Sequence, residues 1–134
     1  MPTADRTTYL RIVLRVVGLI FVAGVYPLTI VWPSGWVWST GQSEYLQMIV
    51  GIYATLGVFL IIASRNPLEH RSLIWFTVWS SVVHGAIMAI QAILNPQHIA
   101  HLWGDVFALF VVAAALALLM PRSGAVSRPE PRAA

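Results

Sequence analysis

Residues 72–94 read SLIWFTVWSSVVHGAIMAIQAIL, 23 positions without a single Asp, Glu, Lys or Arg. As a helix this stretch is roughly 35 Å long, enough to cross a bilayer. One ionisable residue, His84, sits near its centre. At helical spacing from it run Thr77, Ser81, Met88 and Gln91, with Ser80 alongside, whereas Trp75, Trp79, Val82, Ala86 and Ile93 occupy the other side. Hydrocarbon offers no partner to a hydroxyl, amide or imidazole, so the polar stripe is expected to face protein and the Trp-bearing side to face lipid. Such a helix needs companions.

The rest of the chain supplies them. Of its 134 residues 58% are hydrophobic and 10% charged, with mean hydropathy +0.76, against about 25% charged in a soluble domain. Uncharged runs place spans at about 9–32, 45–64, 72–94 and 99–120, joined by PSGWVWSTGQS (33–43), RNPLEHR (65–71) and NPQ (95–97). The apolar run 16–32 ends in aromatics and lacks a small-residue cleavage site, so the first span reads as retained rather than as a signal peptide. Pro27 is expected to kink or loosen its outer end. Trp32, Trp36, Trp38 and Tyr45 read as an interfacial aromatic belt, and Gly51, Ala54, Thr55 and Gly57 suit close helix packing. Met1–Thr8 reads as a short mobile lead, and residues 121–134, rich in Pro, Arg and Ser, as a disordered cytoplasmic tail.

All eight basic residues are Arg. Arg6, Arg11 and Arg15 precede the first span, Arg65 and Arg71 lie between the second and third, and Arg122, Arg128 and Arg132 follow the fourth; the other two connections carry none. By the positive-inside rule both termini are expected in the cytoplasm. The expected fold is therefore all-α: one integral-membrane four-helix bundle over 1–120, up-down-up-down. The absence of Cys excludes disulfides, thiolate metal sites and a Cys nucleophile. Scattered Arg residues give no nucleic-acid face. No phosphate-binding glycine loop, G-x-S-x-G or H-E-x-x-H is present, which leans the reading away from an enzyme.

With this orientation, polar residues gather toward the outer side: Tyr26, Glu44, Gln47, Gln91, His98, His101 and Asp105. His98 and His101 are three apart and His101 and Asp105 four apart, so each pair shares a helix face. Imidazole and carboxylate make an acceptable shell for a divalent metal; equally, the histidines suit headgroup water, and Asp105 suits the positive end of a helix. Counted into a continuous fourth helix, Asp105 falls about two turns inside, where an acid needs a partner; Gln91, Gln47, His101 and Tyr26 are the candidates. Three roles are open to His84: a hydrogen-bonded core residue, a proton-relay or quinone-headgroup contact, or an axial haem ligand. The last lacks a second histidine at similar depth.

The segments WPSGW (32–36), QMIVGIYATLG (47–57), NPLEHRSLIWF (66–76) and Gly104-Asp105 resemble a bacterial family of small four-span membrane proteins of unknown function. More loosely, the G-x-Y-x-x-L-G element of the second span is similar to DoxX-like proteins. That likeness implies a redox-associated role with a quinone or other small ligand, for which the outer-leaflet pocket read from the residues themselves, His84, Gln91, Asp105, His101, Gln47, Tyr26 and Glu44, is the candidate site. The residues by themselves read first as a non-enzymatic subunit or scaffold. The expected partners are the lipid bilayer and other membrane subunits or a second copy of the chain, with no nucleic acid.

Overall fold

The computed structural model describes residues 3–38 and 43–121. Every regular element among them is helical: α1 Thr3–Leu19, a π turn Ile20–Gly24, α2 Val25–Val31, the short α3 Pro33–Trp36, α4 Glu44–Ala63, α5 Arg71–Leu94, a 3-10 segment Pro96–Leu102 and α6 Asp105–Leu119. Four stretches are long and apolar enough to cross a membrane: Asp5–Val31, Glu44–Ala63, Arg71–Leu94 and Pro96–Leu119, with mean hydropathies between 1.7 and 2.3.

The boundaries shift where local chemistry decides them. Helix α1 begins at Thr3, so the lead expected to be mobile is helical over most of its length. Ser43 caps α4, its Oγ accepting from the Leu46 N–H at 3.3 Å, with Glu44 in the first turn where the helix dipole favours an acid. The fourth span is not one continuous α-helix. A 3-10 segment carries it to Leu102, and the backbone breaks at Gly104 (φ −94°, ψ −112°) before α6 starts at Asp105. Asp105 therefore opens a helix instead of lying two turns inside one. Of the tail expected over 121–134, only Pro121 lies among the described residues; its carbonyl accepts from Arg71 Nη2 at 3.0 Å.

Pro27 has no N–H to give to Ala23, and the chain answers with the π turn immediately before it. The turn changes which side chains share a face. Val13, Val17, Phe21, Val25 and Thr29 recur every four residues, a spacing that drifts about 40° per step in an α-helix. The wider turn at 20–24 absorbs part of that drift, so all five line one cavity, while the Tyr26 side chain is 61% exposed.

Helix α5 packs along α6 and α1 along α4, and α1 also meets α6, but α4 and α5 scarcely approach each other. At the end that carries Arg11, Arg15, Arg65 and Arg71 the helices close on a core of Leu10, Leu14, Leu60, Ile74 and Leu116, all fully buried. There Arg15 Nε donates to Ser64 Oγ at 3.2 Å, and Ser64 Oγ donates to the Ile61 carbonyl at 2.7 Å. The α1–α4 crossing is set by two glycines. A Cβ on Gly18 would lie 2.7 Å from the Gly57 oxygen, and one on Gly57 2.6 Å from the Gly18 oxygen. Gly51, by contrast, faces open space.

Gly57→Val has no room at that crossing, because the nearest obstructing atom is the Gly18 backbone oxygen, with Phe21 Cβ and Val22 Cγ2 at 2.9 Å beside it. It should lower stability by about 1–3 kcal/mol, the usual scale of overpacking, whereas Gly51→Ala should be close to neutral. Unfolding of the two variants by sodium dodecyl sulfate titration, followed by circular dichroism, checks the contrast.

Candidate functional site

At the end away from that core, the segment Pro33–Trp38 folds inward between the spans. It is held by contact of the Gly35 backbone with Gly104: a Cβ on Gly104 would collide with the Gly35 carbonyl, its Cα and carbonyl carbon lying 2.9 Å away. This places Trp38 against α6. Its Nε1–H donates to Asp105 Oδ2 at 3.0 Å, and His101 Nδ1 meets the same oxygen at 2.9 Å. Oδ1 accepts the backbone N–H of Val106 at 2.8 Å. The carboxylate thus has three donors, drawn from three separate pieces of chain. The Trp38 ring stacks with His101 at 4.1 Å and with His98 at 4.9 Å between centroids. His101 is fully buried, and among the described residues neither its Nε2 nor the buried Trp36 indole nitrogen has a hydrogen-bond partner.

A second polar pair lies deeper. Tyr53 of α4 and His84 of α5 share a hydrogen bond of 2.9 Å between the phenol oxygen and Nδ1. Phe21 meets the Tyr53 ring edge-on at 4.9 Å. Because α4 and α5 make almost no backbone approach, this hydrogen bond spans a gap. The other stripe residues do not. Thr77 Oγ1 donates to the Leu73 carbonyl at 2.9 Å and Ser80 Oγ to that of Thr77 at 3.2 Å, so both hydroxyls are satisfied within α5.

Between the helix pairs lies a cavity of about 560 Å³, within the range of small-molecule sites. Its wall is mainly apolar, including Val17, Ile20, Phe21, Ile49, Leu109 and Val112. Polar groups enter it at Tyr53 and His84, and at Trp36, Trp38, Gln91 and Asp105.

The expected pocket is therefore reached by some of its residues and missed by others. His84, Gln91 and Asp105 line the cavity, and His101 holds Asp105 from behind. Tyr26, Gln47 and Glu44 do not join them. The π turn carries Tyr26 outward, and Gln47 and Glu44 are exposed on the first turn of α4. His98, His101 and Asp105 do not form a metal shell either: His98 stacks on Trp38, and among the described residues no three His, Asp or Glu side chains gather as ligands. Trp36 and Trp38, expected in an aromatic belt, are half-buried and line the cavity. Sequence reading missed Tyr53 as well, although it lies nine residues past Glu44 while His84 lies ten before Leu94, so a count of depth would have matched them.

Fold and site define an all-α protein with four helices long and apolar enough to span a membrane and a partly open, mainly apolar cavity between them. The chain belongs to the family of unknown function DUF6632, whose model matches residues 4–134. No curated protein matches the chain, and no solved structure does.

Two substitutions probe the pairs. Asp105→Ala strands the Trp38 and His101 donors in a buried site and should cost about 1–3 kcal/mol for each group left unsatisfied, with Trp38→Phe milder because it removes one neutral donor and keeps the shape. For the deeper pair, a double-mutant cycle of Tyr53→Phe and His84→Leu should give a coupling of about 0.6 kcal/mol, with a ceiling near 1.7. Unfolding in mixed micelles measures both.

Proposed function

We propose that this chain is a non-enzymatic protein of the bacterial inner membrane, a single up-down-up-down bundle with both termini in the cytoplasm, that holds a lipid-soluble small molecule between its helix pairs. The cavity carries this reading. It is a partly open space of about 560 Å³ with a mainly apolar wall, a size and character that suit a small-molecule site. Water is a poor occupant, because apolar cavities stay dry. An apolar chain or ring system from the bilayer is the natural filling, and the Tyr53–His84 and Trp38–Asp105 stations give it an orientation. A quinone, with acceptor carbonyls and an apolar tail, has the right division of polarity, in keeping with the DoxX-like resemblance.

A second reading, as a subunit or scaffold, draws on a different surface. The outward face of α4 bears a shallow apolar groove of Met48, Gly51, Ile52, Thr55 and Phe59, and small residues there let another helix approach closely.

The orientation follows from the positive-inside rule. Single cysteines in this Cys-free chain report it: one at Gln97 should react with an impermeant maleimide in intact cells, and one at Glu69 only after the membrane is opened. Occupancy is tested by extracting the protein into polymer-bounded lipid discs and analysing what it carries by mass spectrometry. The wild type should retain a lipid-soluble compound at near-stoichiometric amount. Ala108→Phe, which puts a ring into the cavity wall, should lose it while keeping its helicity. A wild type that carries nothing beyond the disc lipids in their bulk proportion would rule against the reading.

A further inference from the structure

We infer that the arginine end of the α1–α4 seam is a binding site for an anionic phospholipid, whose phosphodiester is gripped by Arg15. Arg15 of α1 is exposed, and its Nε donates to Ser64 Oγ at 3.2 Å. That hydroxyl in turn donates to the Ile61 carbonyl at 2.7 Å, which fixes its direction. A guanidinium carries its N–H donors in a planar fork. With Nε held by Ser64, the Nη1 and Nη2 pair makes no hydrogen bond or ion pair among the described residues. Such a pair matches two oxygens of a phosphate.

The rest of the described chain makes no use of these donors. The Leu60, Ile61 and Ile62 carbonyls at the end of α4 already accept from the Ser64 N–H, the Ser64 hydroxyl and the Arg65 N–H. Asp5 and Glu69 are the acids described at this end, against Arg6, Arg11, Arg15, Arg65 and Arg71. Neither lies within ion-pair distance of Arg15. A guanidinium stays charged at any physiological pH, so its counter-ion has to come from elsewhere. The neighbours say what brings it. Ile12 and Leu19, three before and four after Arg15, share its helix face and are exposed, as is Ile62 of α4. Arg11 lies one turn back on the same face, and Arg65 follows Ser64 directly; both are exposed. Along the span the face passes from cations to bare apolar side chains, the division of polarity of a lipid with an anionic head and acyl chains. A soluble phosphate would satisfy Arg15 and leave Leu19 and Ile62 uncovered.

Native mass spectrometry of the full-length protein, delipidated in detergent and titrated with dioleoylphosphatidylglycerol or dioleoylphosphatidylcholine, tests this. Phosphatidylglycerol should bind one per chain, about tenfold more tightly than phosphatidylcholine. Arg15→Lys keeps the charge and loses the fork; it should weaken phosphatidylglycerol about tenfold. Ser64→Ala, which releases the guanidinium and keeps every charge, should weaken it about threefold. Arg6→Gln removes a charge further back on α1 and should change binding by less than about twofold. Inorganic phosphate in large excess should not displace the lipid. Phosphatidylcholine binding as tightly as phosphatidylglycerol would overturn the site, and so would Arg15→Lys or Ser64→Ala binding like the wild type. A loss in Arg6→Gln equal to that in Arg15→Lys would reduce it to the general charge of a basic membrane edge. Displacement by inorganic phosphate would overturn the lipid in favour of a soluble anion.

Discussion

A carboxylate at the head of an apolar span has to be given hydrogen bonds by the protein, and the half of the molecule away from the arginines is arranged to supply them. Asp105 draws on Trp38 from the segment after α3, on His101 from the 3-10 segment and on the Val106 N–H of its own helix. Each donor imposes a local shape. The 3-10 segment and the break at Gly104 set His101 behind the acid, and the contact of Gly35 with Gly104 brings Trp38 within reach. Irregular backbone at the end of a span is tolerated because it is buried in protein or faces a cavity.

The two ends of the bundle obey different rules. Near Arg15 and Arg71, long aliphatic side chains from all four spans interdigitate to zero exposure, the packing expected of a close-packed interior. Elsewhere α4 and α5 scarcely approach each other, and among the described residues one Tyr–His hydrogen bond joins them.

Much of this could be read in the residues themselves, and the remainder had physical reasons to stay hidden. Four apolar runs and an eight-to-zero arginine asymmetry mark the spans, since backbone satisfaction leaves a chain so apolar little alternative to helices. The His101–Asp105 pair follows from i,i+4 spacing, and it survives although the backbone between them is not α-helical. Trp38 was invisible as a partner because it lies 67 positions from Asp105, and a Trp beside a membrane span is ordinarily an interface anchor. Tyr26 was misplaced because it was chosen by its depth in the span alone, and beyond the π turn Ile20–Gly24 its side chain is exposed.

The bond between Trp38 and Asp105 also dictates an order of events during synthesis. Trp38 leaves the ribosome 67 residues ahead of its acceptor, roughly 3 to 13 s at ordinary elongation rates. Through that interval the Pro33–Trp38 segment has neither Gly104 to lie against nor a carboxylate to bind. The cavity consequently acquires its cap last, when the final span enters, and the space between the helix pairs stands uncovered to the bilayer while the chain is still being made.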